Sequence, residues 1–219
     1  MLELRGVAKR FDPAVPLIEG IDLEVPRGQW VAIAGESGCG KSTLLNVIAG
    51  LDRPDRGEVR LDQEALPYAD DDALALWRRR HVGFVFQSFH LLPYLSVAEN
   101  VALPLALLEV PARERKSRAS AALEAVQLCG FEARRPATLS GGELQRAAIA
   151  RALVHKPTLV LADEPTGNLD EANAAAVLDC LREAVRRAEA CALMVTHSRR
   201  AAAAADRVLT LAGGRLQAA

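Results

Sequence analysis

The stretch that decides the fold is residues 35–42, which read Gly-Glu-Ser-Gly-Cys-Gly-Lys-Ser. This is the pattern G-x-x-x-x-G-K-S, in which the backbone N–H groups of a glycine-rich loop surround a phosphate. The apolar run 30–34 before it predicts a buried strand, and residues 43–49 after it predict a helix. The helix N-terminus would face the phosphate, Lys41 would reach the β- and γ-phosphates, and the Ser42 hydroxyl would bind Mg²⁺. The sequence therefore predicts a nucleoside triphosphate site; the alternative, a glycine-rich turn with a solvent-exposed lysine, does not explain the flanking elements.

The bulk composition limits the function classes. With 219 residues, half of them hydrophobic, the chain is long enough for one large domain or one domain with an inserted lobe. A net charge of −1 argues against a nucleic-acid binder that uses a basic face. The four cysteines lack metal-site spacing and fit reduced thiols in a cytoplasmic protein. We expect neither a signal segment nor a membrane span, since no apolar window approaches 18 residues.

The order of the predicted elements indicates an α/β core that a helical stretch interrupts. Strands are predicted at 2–7, 18–25, 58–61, 82–86, 159–162, 192–196 and 207–211, with a turn at Asp12–Pro13. Between residues 88 and 156 the patterns are mostly helical: Ser96 and Glu99 form a capping box, and Pro111 suits the first turn of a second helix. We therefore expect a core of residues 1–87 and 157–219 and a helical lobe of residues 88–156.

Two carboxylates follow the apolar strand at 159–162. Ligands of α/β proteins bind at the carboxyl ends of the strands, so Asp163 and Glu164 are placed to act on the nucleotide. Asp163 could complete the Mg²⁺ shell, and Glu164 could orient or polarise an attacking water. An acidic turn at a strand end is the simpler alternative.

A second pair of glycines opens a helix at residues 139–146. Ser140, Gly141 and Gly142 form another possible anion site at a helix N-terminus. One loop already holds a phosphate group, so a second phosphate site is redundant unless it serves the nucleotide of another copy of the chain.

Taken together, these motifs resemble the nucleotide-binding subunit of an ABC transporter. The resemblance covers residues 2–216, and its ordered motifs are 35–42, Gln87, 139–143, 163–164, 168–170 and His197. It implies an α/β fold: a P-loop NTPase core of the ABC ATPase type with an antiparallel β subdomain and an inserted helical subdomain, in one ATP-binding domain spanning 1–219. It also implies ATP and Mg²⁺ as ligands, and ATP hydrolysis as the reaction.

The resemblance implies a role for each matching residue. The residues assigned to catalysis are Glu164, His197 and Lys41. The residues assigned to ATP binding in the same subunit are Phe11, Gly35, Glu36, Ser37, Gly38, Cys39, Gly40, Lys41, Ser42, Thr43 and Gln87. ATP of the opposite subunit would be bound by Ser140, Gly141, Gly142 and Asp170, and the metal by Ser42, Gln87 and Asp163. Phe11 resembles the aromatic residue that stacks on adenine, where the family often has tyrosine; packing in the core is its alternative.

Four segments, 50–52, 91–93, 96–101 and 162–170, look most similar to the bacterial ATPases of lipoprotein release and macrolide export. We therefore expect a homodimer that closes on ATP and drives an integral membrane permease, without nucleic acid, at the cytoplasmic face of the inner membrane. The alternatives are a cell-division ATPase that signals through a membrane partner and a soluble ABC ATPase. Phe86, Phe89, Leu91 and Leu92 either line the groove for that partner or form ordinary core between the lobes.

Overall fold

The computed structural model describes residues 1–12 and 15–218, so Pro13 of the predicted turn lies outside the described residues. The strands of this part of the chain are β1 (Leu2–Asp12), β2 (Val15–Val25), β3 (Trp30–Ala34), β4 (Arg56–Leu61), β5 (Glu64–Ala65), β6 (Val82–Phe86), β7 (Leu159–Asp163), β8 (Cys191–Thr196), β9 (Arg207–Ala212) and β10 (Arg215–Ala218). Its α-helices are α1 (Lys41–Ile48), α2 (Asp71–His81), α3 (Val97–Leu107), α4 (Ala112–Ala125), α5 (Gly141–Leu153), α6 (Glu171–Ala188) and α7 (Arg199–Ala202).

The strands form two sheets. The larger has the order β10-β9-β3-β8-β7-β6, with parallel pairing from β9 to β6 and an antiparallel β10 at its edge. The smaller sheet, β2-β1-β4-β5, is antiparallel throughout. The predicted α/β core with an antiparallel sheet is therefore confirmed.

The central parallel strands are apolar because helices or sheet cover both of their faces. Along β3, Trp30 and Ala32 belong to one hydrophobic cluster, whereas Val31 and Ile33 belong to the other. The first cluster joins the sheet to α3, α4, α5 and α6; the second joins its other face to α1 and to the antiparallel sheet. The sheet is thus the middle layer, packed on both of its faces.

The helices α3, α4 and α5 lie between β6 and β7 in the chain, where the sequence predicts a helical stretch. The Ser96 hydroxyl accepts from the N–H of Glu99 at 3.2 Å, and the Glu99 carboxylate accepts from the N–H of Ser96 at 2.6 Å. This capping box satisfies two backbone groups that a helix end leaves unpaired, and it confirms the predicted start of α3.

Several boundaries differ from the prediction. The first helix begins at Lys41 rather than at residue 43, so Lys41 and Ser42 belong to its first turn. Pro111 is the residue before α4 rather than part of its first turn. The short strands β5 and β10 and the four-residue α7 are missing from the prediction. Among the described residues, no helix has the length and apolar character needed to cross a membrane.

Candidate active site

The loop between β3 and α1 has a backbone that depends on glycine. Gly40, immediately before α1, has φ of 104°, and Gly38 has φ of 79°, both in the region that side-chain-bearing residues avoid. A Cβ on Gly35 would lie 2.7 Å from the carbonyl oxygen of Leu211. The glycines therefore allow the loop to turn tightly against the sheet.

Lys41 is held by its own loop. Its Nζ donates to the carbonyl oxygens of Gly35 and Glu36, each at 2.8 Å, and only 8% of the residue is exposed. The ammonium group is thus placed against the loop, where it can exchange a carbonyl partner for a phosphate oxygen.

Ser42 and Asp163 bring two oxygens together at the carboxyl edge of the sheet. The Ser42 hydroxyl lies 3.4 Å from Oδ1 of Asp163 at the end of β7. Burial raises the pKa of the Asp163 carboxyl, and the nearby Glu164 carboxylate raises it further, whereas the hydrogen bond from Ser42 and the charge of Lys41 lower the pKa. A cation bound here would offset the cost of keeping this buried carboxylate ionised.

Glu164 occupies a strained backbone position. Its φ of 47° lies in the left-handed region that residues with a Cβ seldom adopt. The side chain turns towards the end of β8, where Thr196 Oγ1 donates to Oε2 at 2.9 Å. Oε1 accepts from the N–H of His197 at 2.8 Å and lies 2.7 Å from its Nδ1. Such strain at a cleft is a sign of a functional position.

These groups share one cleft because β3, β6, β7 and β8 are parallel and adjacent. Ala34 is paired with Thr196, and Phe86 with Asp163, so the residues that follow these strands meet at the same edge. The cleft has a volume of 430 Å³ and is lined by Leu17, Ser37, Gly38, Gly40, Lys41, Ser42, Thr43, Gln87, Asp163, Glu164 and His197. The structure thus brings together residues that the sequence analysis assigned to a single ATP site.

Gln87 enters this cleft from the end of β6 and is tied to the chain after β7. Its Nε2 donates to Oδ1 of Asn168 at 3.2 Å, and Asn168 Nδ2 donates to the Gln87 carbonyl at 3.1 Å. The remaining amide oxygen of Gln87 makes it a candidate metal ligand.

Phe11 and Cys39 lie in a neighbouring cleft of 360 Å³, which shares Leu17 with the first. The Phe11 ring is 70% exposed, and Lys9 Nζ lies 5.4 Å from its centroid. The alternative that Phe11 packs in the core is wrong, because most of its surface faces solvent.

The four residues assigned to the ATP of a second copy lie outside both clefts, at adjacent helix N-termini. Ser140 caps α5 in a capping box with Glu143, and Asp170 caps α6. A Cβ on Gly142 would lie 2.6 Å from Oδ1 of Asn173, in the first turn of α6. The structure therefore groups these residues together, outside the lining of the chain's own cleft.

Three residues near these sites were missed by the sequence analysis. Leu17 lines both clefts, Thr196 contacts Glu164, and the fully buried Gln145 donates to the Phe86 carbonyl at 3.3 Å. Thr196 carried a usable signal, since a polar residue ends an otherwise apolar strand directly before His197.

Comparison with known proteins shows the family of the chain. A model of the family described as ABC transporter matches residues 18–167. The chain belongs to the ABC transporter family. Within that family it is an ATP-binding subunit and an ATPase, as the sequence predicted.

The relatives include proteins of two lengths. The chain is 45% identical over 219 residues to the lipoprotein-releasing system ATP-binding protein LolD of Pseudomonas syringae pv. tomato, covering 99% of this chain and 96% of that protein. It is 42% identical to the macrolide export ATP-binding/permease protein MacB of Sodalis glossinidius, covering all of this chain but only 34% of that one. The chain thus spans about a third of the length of this ATP-binding/permease relative.

A solved structure shares the fold. It is described as the dimeric structure of a post-hydrolysis state of the ATP-binding cassette MJ0796 bound to ADP and Pi. The TM-score is 0.86 at 36% identity, over 99% of this chain and 97% of that one.

Proposed function

We propose that two copies of this chain close around two ATP molecules and that the cycle of closure and hydrolysis drives a membrane permease of the export or lipoprotein-release type. The observation that carries the proposal is that the second predicted phosphate site is not part of the cleft. Lys41 lines the cleft, whereas Ser140, at the N-terminus of α5, does not. Each surface would be half of an ATP site, so two copies would complete two sites.

In the cleft, the N–H groups of the loop would bind the phosphates and Lys41 would exchange its loop carbonyls for phosphate oxygens. Phe11 would stack on adenine, since its exposed ring borders the cleft that contains Cys39. His197 would approach the γ-phosphate, because it lines the cleft and 65% of its side chain is exposed.

The oxygens of Ser42, Asp163 and Gln87 fit Mg²⁺, which prefers oxygen ligands and is often bound by one or two protein groups together with substrate phosphates. Ser42 and Asp163 are already within 3.4 Å of each other. The proposed set contains only one carboxylate; a different kind of site, built from three or more His, Cys, Asp or Glu side chains, is not found within residues 1–12 and 15–218. When bound, the ion would neutralise charge on the β- and γ-phosphates.

Hydrolysis would then depend mainly on positioning. The Glu164 carboxylate would accept a hydrogen bond from a water aligned with the γ-phosphorus. The water oxygen bonds to that phosphorus, the bond to the β–γ bridging oxygen breaks, and ADP, inorganic phosphate and a proton are released. Ser140, Gly141 and Gly142, with Asp170 at the seam, would contribute from the opposite copy.

The permease would dock beside Gln87. A groove of 310 Å³ that includes Phe86, the residue before Gln87, is lined by Arg79, Phe84, Leu103 and Leu107 among others. Of the four predicted groove residues, Phe86 lines this groove and Phe89 does not. Leu92 is 47% exposed, whereas Leu91 packs partly buried against the core. We further propose that residues 88–156 form the helical subdomain that transmits this contact to a core of residues 1–87 and 157–219.

This arrangement would place the chain at the cytoplasmic face of the inner membrane, bound through its partner. To test it, tagged chain is purified from detergent-solubilised membranes of its source, and the intact partners are identified by mass spectrometry. We expect a stoichiometric integral membrane protein with a permease topology. If the partner is a membrane protein of cell-division signalling, the proposed transport function is wrong and signalling takes its place. Recovery of soluble partners alone would overturn the proposal.

A further inference from the structure

The two carboxylate oxygens of Glu164 are not equivalent. Oε1 accepts from the N–H of His197 at 2.8 Å and lies 2.7 Å from its Nδ1. Oε2 receives one hydrogen bond, from the Thr196 hydroxyl at 2.9 Å. A carboxylate offers about four acceptor positions, two on each oxygen. Oε1 is therefore saturated when Nδ1 carries the ring proton, and Oε2 keeps one position for a further donor.

Thr196 is suited to fixing that oxygen. The residue is fully buried at the end of β8 and is paired with Ala34, the residue before the phosphate loop. Its Oγ1 also accepts from the N–H of Ser198 at 3.0 Å, which leaves the hydroxyl hydrogen directed at Glu164. The branched Cβ further restricts its side-chain rotation. The hydroxyl is thus a rigid donor joined to the same sheet edge as the loop.

We propose that Thr196 is a positioning residue that holds Oε2 of Glu164 so that its remaining acceptor position faces the attacking water. The proposal rests on the proposed role of Glu164 in orienting water. It adds that Oε2, rather than Oε1, carries out this role, and that a residue without contact to ATP sets the orientation.

The decisive variants are Thr196→Val, which removes the hydroxyl and keeps the shape, and Thr196→Ser, which keeps the hydroxyl. We expect Thr196→Val to lower kcat for ATP hydrolysis about 10- to 100-fold, or about 1.4 to 2.7 kcal/mol of activation free energy. The KM for ATP and the affinity for a fluorescent ATP analogue should stay within about twofold, because the lost contact acts on the transition state. Thr196→Ser should retain most of the activity.

The matched control is Thr158→Val. This threonine precedes β7 at the opposite end of the sheet, and its hydroxyl lies 3.4 Å from Nδ1 of His81. The same chemical change there should leave kcat unchanged, and melting temperatures of all variants identify any that fail to fold. In a Glu164→Gln background, single-turnover hydrolysis should be no slower with Thr196→Val than without it, because the two substitutions remove the same function and their effects do not add.

A normal kcat in folded Thr196→Val, or equal losses in Thr196→Val and Thr196→Ser, would overturn the assignment of Thr196 and leave the role of Glu164 intact. A normal hydrolysis rate in Glu164→Gln alone would instead overturn the role of Glu164.

Discussion

Gly83 lies in β6, where the C-terminal turn of α5 packs close to the strand. A Cβ built on Gly83 would lie 2.1 Å from the carbonyl oxygen of Ala152 and 3.0 Å from Cγ of Pro157. Side-chain Cβ atoms essentially never approach another heavy atom within 3.0 Å. Gly83→Ala therefore forces the C-terminal turn of α5 away from the sheet by about 1 Å. The strand cannot yield easily, because Gly83 is paired with Val160 of the buried β7.

Overpacking of this kind costs about 1–3 kcal/mol. For a protein of this size each kcal/mol lowers the melting temperature by roughly 2–4 °C, so we expect a loss of about 2–12 °C in nucleotide-free protein. Scanning fluorimetry measures it, with urea unfolding as a second readout. Gly141→Ala at the other end of α5 is the control, because its new Cβ meets only the flexible Leu169 Cδ2 at 3.1 Å. If Gly83→Ala melts within about 1 °C of the wild type, the packing of α5 on β6 is not as described.

Two further predictions concern the nucleotide cleft. Burial raises the pKa of Asp163, and only the ionised carboxylate binds a cation. As the pH falls, the apparent affinity for Mg²⁺ in the ATPase assay should therefore weaken at a higher pH than it would with an aspartate of ordinary pKa, about 3.9. A Mg²⁺ affinity that stays constant down to about pH 4 would contradict this. Phe11→Ala should weaken ATP binding about five- to tenfold, through loss of roughly 1 kcal/mol of base stacking, while Phe11→Tyr should not; equal binding by all three proteins in fluorescence titrations would exclude stacking.

The central strands and the cleft were predictable because their signals are local. Strand 30–34 was predicted from an apolar run and is observed as Trp30–Ala34. Parallel strands buried on both faces require such runs, and ligand residues follow directly after them. Lys41, Asp163, Glu164 and His197 therefore meet at one edge once the strands are placed, and this is what the structure shows.

The elements that the sequence missed owe their conformation to their partners. β10, Arg215–Ala218, is largely exposed and lacks an apolar run, and it is a strand because its backbone pairs with β9. Likewise, β5 is two exposed residues that pair with β4. The sequence marks Thr196 as a polar strand end, but its partner Glu164 lies 32 positions away, so the contact itself could not be read from the local pattern. These two strands and this contact therefore depend on how distant parts of the chain pack together.

The central proposal is that ATP closes two copies of the chain and that hydrolysis, positioned by Glu164, reopens them. The most direct test is light scattering coupled to gel filtration on Glu164→Gln with Mg²⁺ and ATP, alongside wild type and nucleotide-free controls. We expect the variant to bind ATP without turnover and to elute with twice the 23.5 kDa mass of the chain. An ATP-bound variant that stays at 23.5 kDa, or one that hydrolyses ATP near the wild-type rate, would contradict the proposal.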